Sequence, residues 1–373
     1  MEHKLKVMHI LLTDVGGTEV YNKMLICSTC NQNDIIYICP SSFDKTSFSD
    51  KNVKIYDLDV PREILLWTDL KAILKIRRII HAERPQIVYC HSSMAGAVGR
   101  IAAIGKNCKV IYNPHGWSFD MTDCSPKKRK MYTIIERFLA RFTDKIVAIS
   151  EHEKQIAVKK KICDGEKIQV ILNGVDVKNL QNIGASKQEL GFSEENFVVG
   201  CIARISEQKD PLLFARVAGE ISKRVPNARF VWVGDGDLRQ EFEDALRENG
   251  VFDKVFITGW VSEPNVYSAA FDVAVLFSKW EGFGLAVAES LAQGKPVVAT
   301  DVGGLSEIII DGEVGRVLKD RDESKLAEAV ISYLHYDDIN TLSEKCKERA
   351  RCFDFCLTAE KTIQLYSELV GII

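Results

Sequence analysis

Short apolar runs alternate with longer stretches of helical period along the whole chain. In the first half, Val7–Thr13, Ile35–Cys39, Val53–Leu58, Gln86–His91, Lys109–Asn113, Lys145–Ile149 and Lys167–Leu172 read as strands. Helical patterns fall between several of them, notably Asp69–Ala82 and Ser93–Ala103. The alternation then starts again. Phe197–Ile205, Arg229–Val233, Val255–Thr258, Asp272–Phe277 and Pro296–Thr300 read as strands. Helices are expected from Asp210-Pro211 to Val225, over Leu238–Asn249 and from Leu285 onward. Continuous apolar strands separated by helices predict parallel sheets covered on both faces. A polar stretch with Gly184 and Gly191 separates the halves, and the domain boundary is placed in it. The region with Gly312 and Gly315 reads as a loop, followed by helices. The expected fold class is α/β, with two doubly wound parallel-sheet domains over 1–185 and 186–355 and a helix over 356–373.

The stretch Trp280–Thr300 carries the densest chemistry. Glu281 precedes a tight turn, Gly282-Phe283-Gly284, and Leu285–Ala288 opens a buried helix that includes Glu289. Gly294 and Pro296 end that helix. The first amides of a helix lack intrahelical partners and suit a phosphate, while ionised carboxylates suit sugar hydroxyls as acceptors. In the first half, Gly16-Gly17 forms a strand-to-helix turn, which lets a ligand approach the backbone. It is not a dinucleotide fingerprint. His115 follows a strand in Asn113-Pro114-His115-Gly116, where open α/β sheets meet their ligands.

With 373 residues, 46% hydrophobic and 27% charged, the chain has the makeup of a two-domain globular protein. No apolar run reaches the length of about 18 residues that a membrane span needs. The N-terminal apolar run is expected to be a first strand, not a leader peptide. Eleven cysteines are scattered, and neither Cys27/Cys30 nor Cys352/Cys356 has partners for a zinc site. Free thiols in a cytoplasmic setting are expected. Net charge is −3, yet 1–185 holds 28 Lys+Arg against 20 Asp+Glu, and the remainder 21 against 32. That asymmetry fits either an anionic partner for the first half or two domains of different surface charge. Pro126–Phe142 opens with four basic residues and continues with Ile134, Ile135, Phe138, Leu139 and Phe142 at helical spacing. Such a helix fits an anionic lipid surface or a core helix with a solvated basic face.

In sum of motifs, the chain resembles the retaining family 4 glycosyltransferases of the GT-B fold, bacterial surface-polysaccharide type. The resemblance spans essentially the whole chain. It rests on Ala203-Arg204 with Lys209, Val233-Gly234-Asp235-Gly236, Thr258-Gly259-Trp260 and Glu281 through Glu289. Gly16-Gly17, His115-Gly116 and Asn173-Gly174-Val175-Asp176 support it from the first half.

The resemblance implies two Rossmann-like domains facing a central cleft, with the last helix crossing back onto the first. It implies transfer from a nucleoside-diphosphate sugar, a UDP-sugar first and GDP-mannose second, to a glycan or polyprenyl-linked acceptor. Arg204 and Lys209 would then neutralise the leaving phosphates, helped by amides at Gly16, Gly17, Gly282, Phe283, Gly284 and Leu285. Glu289 would hold the ribose, Glu281 the donor sugar, and His115 would orient that sugar or its leaving phosphate. Gly259, Trp260 and Val261 would pass near the base. No metal and no cofactor is implied, retention is expected by front-face attack, and nucleic acid is not an expected partner. Peripheral contact with an anionic membrane through Pro126–Phe142 is expected at the inner face of the cell membrane. Competing readings are a nucleotide-sugar epimerase on the same architecture and a nucleotide-sugar sensor without turnover.

Overall fold

Thirteen short, mostly apolar strands build two all-parallel sheets among the described residues. The computed structural model describes residues 4–13, 16–60, 66–334, 336 and 338–372, with the side chains of 66–69 left aside. The first sheet holds β1 (Leu5–Leu11), β2 (Asn33–Cys39), β3 (Val53–Asp57), β4 (Ile87–His91), β5 (Lys109–Asn113), β6 (Lys145–Ala148) and β7 (Ile168–Val170). Their order is β3-β2-β1-β4-β5-β6-β7. In β1, Met8 and Ile10 join one buried cluster and Leu5, Val7 and Leu11 another. Helices therefore cover both faces, as continuous apolar strands demand.

The second sheet holds β8 (Phe197–Ile202), β9 (Ala228–Val233), β10 (Val255–Ile257), β11 (Val273–Leu276), β12 (Val297–Thr300) and β13 (Gly315–Leu318), ordered β10-β9-β8-β11-β12-β13. β13 falls where the sequence reads as a loop. It pairs with β12 from Val297↔Gly315 to Thr300↔Leu318. A Cβ at position 315 would lie 2.2 Å from the Val297 carbonyl oxygen, so the glycine that suggests a loop instead permits close strand approach.

The chain divides into Met1–Gly174 with Phe355–Ile373, and Val175–Asp354. The first division falls earlier than a boundary at 185/186. Val175 N–H bonds the Phe353 carbonyl at 2.8 Å, and Ala185 N–H bonds the Val266 carbonyl at 2.8 Å. Backbone bonds thus bind the polar segment 175–185 to the second unit, although it lacks an apolar pattern. The last helix, Phe355–Val370, places Phe355, Ala359, Leu365 and Tyr366 in a buried cluster with Tyr21 and Leu25 of the helix Gly17–Thr29. Gly174 allows its start to pack closely, since a Cβ there would lie 2.6 Å from Phe355 Cα.

The basic helix runs Pro126–Leu139, capped by Ser125, whose hydroxyl accepts from Lys128 N–H at 3.3 Å. Leu139 is buried, but Met131, Ile134 and Phe138 are 43%, 55% and 52% exposed. The apolar residues at helical spacing are therefore split between a packed face and an open stripe. A buried ion pair fastens the helix: Arg100 Nη2 donates to Glu136 Oε2 at 2.8 Å, and Tyr112 donates to Oε1 at 3.0 Å. The Arg100 guanidinium also lies 3.8 Å from the Tyr112 ring centre. Replacing Glu136 by Ala strands a buried guanidinium, and we expect a loss of about 3–5 kcal/mol in chemical denaturation. A loss below about 1 kcal/mol, in the range of exposed pairs, would contradict that role.

Candidate functional site

Strand order reverses between β8 and β11 in the second unit, because β9 and β10 extend one way and β12 and β13 the other. Loops leaving the carboxyl ends of such neighbours diverge and open a crevice. The loop after β8 carries Arg204 and Lys209; the loop after β11 carries Glu281. Here Lys209 Nζ bonds Glu281 Oε1, which also accepts from Ser278 Oγ at 2.7 Å. Glu281 is buried and Lys209 half-buried. The carboxylate is thus held by a cation and a hydroxyl through one oxygen.

Hydrogen bonds to backbone carbonyls zip the two loops together. Lys279 N–H donates to the Gln208 carbonyl at 2.7 Å, and Gln208 Nε2 to the Trp280 carbonyl at 2.9 Å. Arg321, from the segment after β13, clamps both. Its guanidinium donates to Asp210 Oδ2 at 2.6 Å and to the Ser278 and Phe277 carbonyls at 2.7 and 2.8 Å. Asp210 in turn caps the helix Pro211–Arg224. Gly303 supports Glu281 from beneath: its φ is +58°, and a Cβ would lie 1.8 Å from the Glu281 carbonyl oxygen. Arg204 does not share the carboxylate; it bonds Asp237 Oδ2 at 2.6 Å on the exposed side.

Gly284 leads into the helix Leu285–Ala292 with φ +100°. Val287 and Ala288 N–H bond the Gly284 carbonyl at 3.0 and 3.4 Å, so it is the amides ahead of them that lie beyond the intrahelical ladder. Glu289 lies one turn in and is half-buried. Desolvation by the protein raises its carboxyl pKa, opposed by a side-chain hydrogen bond from Asn265. On the neighbouring strand ends, Gly234 and Gly259 form an antiparallel bridge, and Thr258 Oγ1 accepts from Gly234 N–H at 3.2 Å. Trp260 beside them is 68% exposed, and Val261 is half-buried.

In the first unit the order reverses between β1 and β4. Gly16, with φ +80°, precedes the helix Gly17–Thr29; Asp14 and Val15 of the same turn lie outside the described residues. His115 follows β5 with φ +51°, its N–H held by Asn113 Oδ1 at 2.9 Å. Tyr21 links the two, its ring centre 4.7 Å from that of His115. Behind His115 stands His91, the last residue of β4, at 3.1 Å between Nδ1 and His115 Nε2. Behind that stands His9, at 3.0 Å. Burial pushes His9 and His115 down to about 3, and burial with its neighbours pushes His91 well below the usual range. These rings are neutral at physiological pH.

Arg204, Lys209, Glu281, Glu289 and the glycine turns thus collect at the end of one sheet, and Gly16, Gly17 and His115 at the end of the other. Sequence reading missed Ser278, Arg321, Gly303, His9 and His91. The two histidines had one signal available: each is a polar residue inside an otherwise apolar strand. Arg321 had none, since its partners lie far away in the chain. Among the described residues no three of His, Cys, Asp or Glu are grouped so as to hold a metal ion.

Residues 15–179 match the model for Glycosyltransferase Family 4, and residues 182–353 that for Glycosyl transferases group 1. A "UDP-Gal:alpha-D-GlcNAc-diphosphoundecaprenol alpha-1,3-galactosyltransferase" of Escherichia coli is 29% identical, with 98% of each chain covered. An uncharacterized 41.2 kDa protein in the cps region of Klebsiella pneumoniae is 31% identical over 93% of this chain and 94% of its own. Among solved structures, HepE of Anabaena in complex with UDP and glucose superposes with a TM-score of 0.82 at 21% identity, covering 97% of this chain and 99% of its own.

The neutral histidines have a cost in acid. Unfolded, each ring takes a proton near its ordinary value of 6.5, whereas His9 and His115 hold out to about 3. The unfolded state therefore binds more protons below that ordinary value, and stability present above it is lost as pH falls. We expect the melting temperature to drop between about pH 6.5 and 5, before most carboxylates titrate. A flat melting temperature over that interval would contradict the burial of neutral rings.

Proposed function

The chain belongs to the family 4 glycosyltransferases, and we propose that it moves a sugar from a UDP-sugar to a polyprenyl-diphosphate-linked glycan of a bacterial surface polysaccharide, with retention and without metal. The observation that carries this reading is the Lys209–Glu281–Ser278 contact at the β8/β11 crevice, beside the start of the helix Leu285–Ala292. A cation, a fixed carboxylate and the start of a helix suit a sugar diphosphate. The choice of UDP is supported by the name of the Escherichia coli relative and by the UDP bound to HepE. The lipid-linked acceptor is supported by the same relative's name.

In this mechanism the bond from the sugar anomeric carbon to the β-phosphate oxygen breaks as the bond to the acceptor oxygen forms. The acceptor proton passes to the departing phosphate. Lys209 and Arg204, with amides at the start of the helix Leu285–Ala292, balance charge on the diphosphate, which is why no metal is invoked. Glu281 is already engaged through Oε1 by Lys209 and Ser278, so it positions sugar hydroxyls and does not attack. Glu289 accepts from the ribose hydroxyls, whose hydrogen bonds repay the desolvation that raises its pKa. Gly259, Trp260 and Val261 line the approach of the base. His115 donates to the donor sugar or its phosphate.

Transfer from a panel of UDP-sugars to a sugar-diphosphopolyprenol acceptor tests the assignment. Lys209→Ala is expected to lower kcat by about 100-fold or more. Glu289→Gln is expected to raise the melting temperature of the free protein at neutral pH, since burial penalises a charged carboxylate and spares a neutral amide, yet to lose the shift that UDP gives the wild type. Near-wild-type transfer in either variant refutes the site, and activity lost in EDTA and restored by manganese refutes the metal-free reading.

The open stripe Met131–Ile134–Phe138, next to exposed Lys127, Lys128 and Lys130, supports docking on anionic lipid. No helix of the described residues is long and apolar enough to cross a membrane. Sedimentation with phosphatidylglycerol vesicles is expected to fall with salt and to fall again when Lys127, Lys128, Arg129 and Lys130 are neutralised. Binding indifferent to both changes counts against this surface.

A further inference from the structure

Three histidines and a tyrosine form one hydrogen-bonded line through the first unit. The Tyr366 hydroxyl lies 3.4 Å from His9 Nε2, His9 Nδ1 lies 3.0 Å from His91 Nε2, and His91 Nδ1 lies 3.1 Å from His115 Nε2. Tyr366 comes from the last helix, His9 from β1, His91 from the end of β4 and His115 from the turn after β5. Tyr366, His9 and His91 are fully buried, whereas His115 is partly exposed.

A neutral imidazole has one N–H and one bare nitrogen. His9 and His91 each use both nitrogens in the line, so each must donate at one and accept at the other. Two assignments alone avoid placing two hydrogens, or two lone pairs, in the same contact. In one, every ring carries its hydrogen on Nδ1 and the line points from Tyr366 out to His115. In the other, every ring carries it on Nε2 and the line points inward. The inward assignment makes the Tyr366 oxygen an acceptor, so its own hydrogen needs another partner. Among the described residues, His9 is the hydrogen-bond partner of that hydroxyl. The inward assignment therefore leaves a buried donor unpaired, and the outward one satisfies it.

The geometry points to Tyr366, His9 and His91 as positioning residues that hold His115 in its Nδ1–H form. His115 then offers a neutral N–H donor, not a bare acceptor, to an oxygen of the sugar or of the phosphate. This last step rests on the reading that His115 faces the donor; the hydrogen-bonded line does not. It also gives the last helix a chemical task, because a hydroxyl near the end of the chain sets a proton position in the middle of it.

Long-range proton–nitrogen NMR spectra of protein labelled with ¹⁵N-histidine separate the two tautomers directly, with His→Gln variants at 9, 91 and 115 for assignment. The expected result is a wild-type His115 with hydrogen on Nδ1. Tyr366→Phe keeps the ring and removes the directing hydroxyl, so an Nε2–H population should then appear at His115. A wild-type His115 carrying its hydrogen on Nε2 overturns the proposal whether or not any variant folds. So does a folded Tyr366→Phe protein with His115 unchanged. Titrating UDP-glucose into the wild-type sample separates the two readings. A shift at His115 on binding supports its place at the donor. An Nδ1–H His115 that ignores bound UDP-glucose supports the line and overturns the donor-facing reading instead.

Discussion

A parallel strand must be covered on both faces, and that constraint decides where this protein can do chemistry. Helices and apolar side chains fill both sides of each sheet, leaving no room for a ligand there. Only the carboxyl ends of the strands remain, and only where neighbouring loops diverge. The two sheets reverse at β1/β4 and β8/β11. His91 and the Gly16-Gly17 turn lie at the first reversal, and the Lys209–Glu281 contact lies at the second.

The two crevices handle polarity in opposite ways. The second unit pairs acidic side chains with basic ones. Lys209 neutralises Glu281, and Arg321 ties Asp210 to the carbonyls beneath Ser278. Glycines bring backbone close enough to make that framework rigid. Gly234 and Gly236 approach the carbonyls of Ala203 and Ile205, and Gly303 approaches that of Glu281, each at a distance that leaves no space for a Cβ. The first unit instead neutralises its groups by burial, so that a row of imidazoles can be enclosed without counter-ions. Glu289 stands between these strategies, a carboxyl made less acidic by its surroundings. Burial that disfavours the charged form makes the stability of both units depend on pH.

Much of this was legible in the chain itself. Lys109–Asn113 is a strand to the residue, and the apolar runs located twelve of the thirteen strands of the described residues. Glu281 and Glu289 stand out because they flank a glycine turn and a helix start, whereas Arg204 and Lys209 stand out through the resemblance to family 4 glycosyltransferases. The failures have physical causes. β13 begins at Gly315, and a glycine that serves close packing looks the same in sequence as one that serves a turn. The segment 175–185 belongs to the second unit through backbone hydrogen bonds, which leave no mark on side-chain pattern. The helix Pro126–Leu139 has apolar residues on two faces, and periodicity alone does not say which of them faces outward.

By itself the sequence determined the alternation of strand and helix, the two-sheet architecture and the kinds of chemical group at the strand ends. These follow from local rules: apolar period, chain flexibility at glycine and the donors and acceptors each side chain carries. The tertiary structure alone decided which groups meet, as Arg321 meets Ser278 and Asp210, or Tyr366 meets His9. It alone decided how burial shifts the acidity of the histidine rings and of Glu289. Both depend on burial and on contacts between residues distant in the chain, and neither quantity exists until the sheets have formed.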